Sequence, residues 1–293
     1  MALAVASSTA AVRRVPVPRR TPGAVVLRVL LYVTLALAAF VVLLPVIWMI
    51  LASLRPEHDI LSHPADLFPS SLTGANYTAI VAGIPFARQF LNTVVFAGSV
   101  AVCSLFFDSM TGYALARLDF PGRRLLFGAV VVFLMLPSQV TLVPVYQLLA
   151  HLHLVNTLPG LIIPRATNAF GIFFMRQFFL SIPNDMSEAA RIDGAGEFRI
   201  FWRVVLPLAT PALLTLGLFH LMYNWNDLLW PLVLTSDASM QTLPAGLALF
   251  MGQHVVQYGL LMAGATMAMI PMLVAFVFVQ RRFIEGIATT GLK

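Results

Sequence analysis

Between Arg28 and Arg55 the chain runs through 26 consecutive uncharged residues, nearly all of them apolar. As a helix rising ~1.5 Å per residue this stretch reaches ~39 Å, enough to cross a ~30 Å hydrocarbon layer with some tilt. Further apolar runs follow from about Phe90 to Ala114, Leu125 to Leu148, Leu158 to Leu180, Leu208 to Val233 and Leu260 to Val279. Leu125 to Pro164 is too long for one crossing, and the polar His151, His153 and Asn156 mark the turn that divides it. The predicted fold class is therefore all-α, a polytopic membrane protein with six transmembrane helices. Composition closes off the alternatives. Only 10% of the 293 residues are charged and 59% are hydrophobic, with a mean hydropathy of +0.88, against about 25% charged in an ordinary soluble domain. That is too little charge to coat a soluble surface, so a cytosolic enzyme and a disordered chain are excluded. The single cysteine, Cys103, excludes an intrachain disulfide scaffold and a cysteine-based metal site.

The first 27 residues, rich in Pro and Arg, read as a flexible basic tail. The apolar run after it is too long for the core of a signal peptide, and no small-residue cleavage pattern follows Leu54, so the helix is expected to be retained. The net charge of +6 reflects membrane orientation rather than nucleic-acid binding. With both termini on the cytoplasmic side, 15 of the 18 basic residues fall inside, Arg55 and Arg88 fall outside, and Arg165 lies within span four. The inverted topology reverses that count, so the expected arrangement is N-in, C-in, with residues 28–283 as the membrane domain and 284–293 as a cytoplasmic tail.

The loop after span four, residues 183–207, is long and patterned. Asp185 followed by Glu188 has the spacing of a capping box. Gly194 is a natural helix stop because it adopts positive φ freely. Phe198, Phe201, Trp202 and Val205 then recur at helical spacing, and that stripe is expected to end before Pro207. The result is a helix–turn–helix that presents Ala189 and Ala190 among mixed charges. Arg176, Arg191, Arg199 and Arg203 balance Asp185, Glu188, Asp193 and Glu197. A lipid-adsorbed helix is usually basic; a charge-neutral knob suits a protein partner better.

Glu188-Ala189-Ala190, Asp193-Gly194-Ala195 and Val204-Val205-Leu206-Pro207 resemble the EAA loop of permease subunits of ATP-binding-cassette (ABC) importers. Trp225-Asn226-Asp227 with Trp230-Pro231-Leu232 resembles the carbohydrate-uptake, maltose-type (MalG-like) branch. So do Ala114 to Arg123 and the end of the chain, Gln280 to Phe283 with Gly286 and Gly291-Leu292-Lys293. The resemblance covers the chain from about Leu44 onward. It implies a type I ABC importer permease fold in a bacterial inner or plasma membrane, with a cytoplasmic coupling helix. Glu188, Ala189, Ala190, Asp193, Gly194, Ala195 and Phe198 are then the ATPase-coupling residues, with Gly286, Gly291 and Lys293 as tail contacts to the ATPase. The implied partners are a second homologous permease, two ATPase subunits and an extracytoplasmic sugar-binding protein. The implied activity is inward sugar transport by alternating access. The sequence holds no G-x-x-x-x-G-K-[S/T] phosphate loop, so ATP and Mg²⁺ are expected on the partner chains and no cofactor in this one.

Charges inside spans are the natural markers of a pathway. Asp108, Arg165 and Asp227 are the three. Asp227 lies 20 residues past Pro207, ~30 Å along an unbroken helix. With Trp225, Asn226 and Trp230 it supplies polar groups and flat apolar faces, the mixture a sugar presents, so these four are the candidate substrate pathway or gate. The competing reading places both tryptophans in an interfacial belt and ties Asp227 to a neighbouring helix. Asp108 departs from the family pattern; it pairs with Arg165, pairs with the partner permease, or serves substrate or gating work. Arg165 alternatively snorkels to an aqueous face. His151 and His153 read as a solvated turn, not a metal site, and Met262, Met267, Met269 and Met272 as packing. The segment from Asp59 to Pro85 is expected to face the binding protein, and Asp237 to Gln257 to lie across the outer mouth. Two other functions compete: an ABC permease for a non-sugar solute, and a proton-coupled secondary transporter using Asp108 and Asp227. The second predicts inverted repeats, which the sequence does not display.

Overall fold

The computed structural model describes residues 22–290 apart from 65, 67, 69–70 and 252–255, with side chains except at 22, 24–25, 249, 279 and 281–290. Most of the expected basic tail, and Gln253, His254, Gly291 and Lys293, lie outside the described residues. The helices are α1 (Pro22–Ser53), α2 (Glu57–Ser62), α3 (Ala75–Gly83), α4 (Phe86–Arg117), α5 (Arg123–Met135), α6 (Leu142–His151), α7 (Leu158–Ile162) and α8 (Ala169–Ser181). They continue with α9 (Asp185–Ile192), α10 (Glu197–Ile200), α11 (Leu206–Leu208), α12 (Thr210–Trp225), α13 (Leu229–Leu234), α14 (Leu243–Leu247) and α15 (Tyr258–Thr290). Among the described residues there is no strand. The described residues divide into two units, one up to Trp48 and the other from Met49 onward.

Three helical stretches, Val26–Ser53, Phe86–Arg117 and Tyr258–Phe278, are long enough and apolar enough to cross a membrane. The other three expected spans are broken. Arg123–Met135 and Ser138–His151 meet at 99°, Leu158–Arg165 and Ala169–Ser181 at 41°, and Glu197–Leu208 and Thr210–Trp225 at 80°. Pro137 starts the first break and Pro164 precedes the second; each lacks the N–H that would continue the ladder. The third break corrects the sequence expectation. The helix runs through Pro207 to Leu208 and bends at Ala209; Pro207 is the second residue of α11 and follows directly on the π-helical turn Phe201–Val205.

α4 is the central post, packed by α8, α12 and α14. Its buried stripe runs Gln89, Asn92, Thr93, Phe96, Ala97, Val100, Ser104, Asp108 and Gly112, a 3–4 residue spacing, while Leu91, Val94, Val102, Phe106 and Phe107 are exposed. This reverses a soluble amphipathic helix. With lipid outside, apolar contact between helices gains little, and small or polar groups that meet neighbouring helices hold the bundle. Asn92 Nδ2 donates to the carbonyls of Ser239 (2.8 Å) and Gln241 (2.9 Å), and Thr93 Oγ1 accepts from Leu243 N (2.8 Å), pinning the 236–247 segment to α4. The segment after α1 folds into α2 and α3 around Arg55, which is buried and bound to Asp59 Oδ2 at 2.8 Å and to the carbonyls of Asp59, His63 and Asp66. Glu57 reaches the start of α15, accepting from Tyr258 N (2.9 Å) and Gly259 N (2.7 Å), a carboxylate where the helix has orphan donors. The backbone of α15 runs on through Thr290, so residues 284–290, Gly286 among them, continue the last helix.

Candidate functional site

Two features stand out, a hairpin between α8 and α12 and a cavity beside α12. In the hairpin, α9 ends in a Schellman turn. Gly194 has φ +76°, its N–H bonds Arg191 O (3.0 Å), and Ala195 N bonds Ala190 O (2.9 Å). That pair satisfies two orphan carbonyls and requires the left-handed conformation at Gly194. The expected capping box does not form. Asp185 is the first helical residue, the preceding Asn184 makes no side-chain cap, and its carbonyl takes Ser187 N and Glu188 N instead. After the turn α10 leads into a π-helical turn at Phe201–Val205, the irregularity that puts Phe201 and Val205 in one core with Tyr113, Met175, Phe179 and Ile200.

The predicted coupling residues separate cleanly. Glu188, Ala189, Asp193, Gly194 and Phe198 are exposed, whereas Ala190 and Ala195 pack against the core below. The exposed apolar tip is pronounced: Ile192 is 87% and Phe198 67% exposed. Sequence reasoning missed the ties beneath this tip. Glu197 accepts from Arg191 Nε (2.7 Å) and from the Tyr113 hydroxyl of α4 (2.8 Å). The Arg191 bond holds the Glu197 carboxyl below its ordinary range, and Glu197 in turn raises Arg191. Arg117 donates to the carbonyls of Phe179 and Ile182 at the end of α8. The hairpin is thereby braced on α4 and α8. The signal for Tyr113 lay in its place near the C-terminal end of span two, but pairing it with Glu197 across 84 residues requires the fold.

The cavity, of about 1300 Å³, lies among α5, the turn after it, the start of α8 and α12. Of the four predicted pathway residues it is lined by Asn226 and Asp227, just past the end of α12, and not by Trp225 or Trp230. Both indoles are buried, at 5% and 6% exposure, and their N–H groups are used on backbone carbonyls, Trp225 on Ala268 and Trp230 on Leu161, each at 3.1 Å. They lock helices together and show no face to the cavity.

The three intramembrane charges also pair differently from the expected scheme. Arg165 does not reach Asp108 and does not snorkel; it meets Asp227 at 2.6 Å and Asn224 Oδ1 at 3.2 Å. Its guanidinium lies over the rings of Trp230 (4.9 Å) and Tyr223 (5.5 Å), faces that attract a cation. Asp108 is completely buried and is met by Thr167 Oγ1 (2.7 Å), Asn168 N (2.9 Å) and His220 Nε2 (3.2 Å). No cluster of three or more potential metal ligands occurs among the described residues.

Residues 108–288 match the family described as "Binding-protein-dependent transport system inner membrane component", and the chain belongs to it. It is 38% identical over 268 residues to the arabinooligosaccharides transport system permease protein AraQ of Halalkalibacterium halodurans, covering 90% of this chain and 96% of that protein. It is 33% identical to the sn-glycerol-3-phosphate transport system permease protein UgpE of Agrobacterium fabrum, covering 90% and 96%. A crystal structure of a bacterial ABC transporter involved in the import of the acidic polysaccharide alginate contains a chain that superposes with a TM-score of 0.77 at 25% identity, over 91% of this chain and all of that one. The protein is thus an all-helical membrane permease subunit of the ABC importer class.

Proposed function

We propose that this chain is one of two permease subunits of a binding-protein-dependent saccharide importer, crossing the membrane six times with both termini in the cytoplasm. The observation that carries the reading is the rigid hairpin with a bare apolar tip. Ile192 and Phe198 stand in water on a loop whose base is tied to α4 and α8, a surface shaped to be covered by another protein. On the positive-inside count that loop is cytoplasmic, where ATPase subunits would seat on it. ATP and Mg²⁺ belong to those partners. Closure of the ATPases would turn the hairpin as a lever, and the 80° bend at Ala209 would pass the motion into α12, whose far end carries Asn226 and Asp227 at the cavity. The second permease would complete the pathway, and a binding protein outside would deliver the solute.

The likeness to AraQ and the mixed polar and aromatic cavity favour a saccharide. The likeness to UgpE keeps a phosphate-bearing polyol as the second reading. The test is co-expression with the second permease, the ATPases and the binding protein, followed by ATP hydrolysis with a panel of binding-protein ligands. Stimulation by a neutral oligosaccharide is the expected result; stimulation by sn-glycerol-3-phosphate alone would replace the saccharide reading with the second one.

A further inference from the structure

We infer that this subunit itself touches the solute, at a subsite in the cavity wall where His220, oriented by the buried Asp108, receives a hydroxyl of a neutral sugar ring. The inference rests on the saccharide reading above. Asp108 sits in the interior of α4, where a carboxylate is costly and is retained for pairing or function. Its surroundings are built for it. Oδ1 accepts from the Thr167 hydroxyl and the Asn168 N–H, Oδ2 faces His220 Nε2, and Gly171 packs so close that a Cβ there would lie 1.9 Å from Oδ2. All three partners, Thr167, Asn168 and His220, line the cavity, and Asp108 does not. Asp108 therefore acts from behind the wall.

Asp108 already accepts from Thr167 and Asn168, and with the imidazole turning its Nε2–H toward it as a third donor, Nδ1 is left as an acceptor. A carboxylate behind a histidine fixes both the tautomer and the aim of the ring. Thr167 likewise gives its proton to Asp108 and keeps lone pairs free. The wall so prepared is an acceptor surface, which suits the O–H groups on the edge of a sugar. Phe170, Phe219 and Tyr223 are exposed on the same wall, and Phe170 and Phe219 meet edge to face at 6.3 Å. Such rings offer apolar faces for the C–H side of a pyranose or furanose.

Charge narrows the class. Among the described lining residues Asp227 is the one with a formal charge, and Arg165 already answers it at 2.6 Å. Among the described residues no lysine or arginine lines the cavity to meet a uronate or a phosphate ester, and either would lose its hydration without a counter-charge. The subsite is matched to a neutral ring.

The experiment uses the whole complex in proteoliposomes and measures uptake and ATP hydrolysis with arabinotriose, maltotriose, diacetylchitobiose and trigalacturonate. In His220→Ala and Asp108→Asn, uptake of the carried neutral saccharide should fall roughly tenfold, the loss of one good hydrogen bond. Uptake per ATP should fall with it, and the order of preference within the panel should change. His220→Gln, which keeps a donor for Asp108 and an acceptor for the cavity, should recover most of the rate. Phe219→Ala, exposed and outside the network, should shift the same preferences if the buried variants fail to assemble. Unchanged preferences in all assembled variants would overturn the subsite while leaving the saccharide reading intact. So would uptake and ATP hydrolysis falling in a fixed proportion. Transport of none of the neutral saccharides by the unaltered complex would overturn the saccharide reading itself, and trigalacturonate carried as fast as the neutral sugars would overturn the neutrality argument.

Discussion

Single positions carry much of what is specific here. Gly194 holds φ +76° with nothing near its missing Cβ, so an alanine there meets backbone strain and not a clash. Gly194→Ala should cost about 1 kcal/mol locally; under the proposed docking role it should also lower co-purification of the ATPase subunits, and Gly194→Asn should be milder. Gly171 is the opposite case, because a Cβ would collide with Asp108. Gly171→Ala should destabilise by roughly 1–3 kcal/mol, seen as a lower melting temperature of the purified complex in detergent. Glu197 adds a pH dependence. Its folded-state pKa is lowered, chiefly by Arg191, so its contribution is complete above the ordinary carboxylate range and disappears as pH falls through the lowered value. Coupled ATP hydrolysis that is flat from neutral to mildly acidic pH is expected, and Glu197→Gln should mimic the acid state at pH 7 by uncoupling hydrolysis from uptake. Of these residues Gly194 was readable because its neighbours in sequence set its conformation. Glu197 entered the sequence reading as one charge in a balanced loop; its partner Tyr113 lies on another helix.

At the level of elements, the three broken spans are the departure from a plain bundle, and two of them meet through one ion pair. Arg165 closes the bend before α8 and Asp227 follows the end of α12. Both side chains are mostly shielded, at 19% and 12% exposure, so breaking one partner leaves a poorly solvated charge. Arg165→Ala and Asp227→Asn are expected to slow uptake by similar factors, and the double variant to be no worse than either alone; a fully additive double variant would disconnect the two elements. Hydropathy placed these elements in order and nearly in length. It could not give the bends at 137, at 166–168 and at Ala209, since an apolar run reads alike whether the helix is straight or folded back on its neighbours. Pro207 shows why: it reads as a stop, yet the helix passes through it just after a π-helical turn and bends only at Ala209.

For the molecule as a whole, topology follows from charge and can be tested with the lone cysteine removed. In a Cys103→Ser background, Ile192→Cys should label only from the cytoplasmic side and His153→Cys only from the opposite side, in intact cells treated with an impermeant maleimide. Both residues are exposed, and the reverse pattern would invert the orientation drawn from the positive-inside count. Labelling of Ile192→Cys should also be blocked once the ATPases are bound.

The sequence by itself determined that the chain lives in a membrane, how many apolar runs it has, which loop folds as a helix–turn–helix, and which family it belongs to. Those properties are local, resting on runs of hydropathy, a helix stop and short motifs whose spacing survives any packing. Tertiary structure decided which charges meet. Arg165 joined Asp227 while Asp108 joined His220, Thr167 and Asn168, and the two tryptophans turned inward while Asn226 stayed at the cavity. The physical reason is that a buried polar group must find a partner wherever the helices place one, and that depends on how separate helices rotate against each other, which no single stretch of sequence encodes.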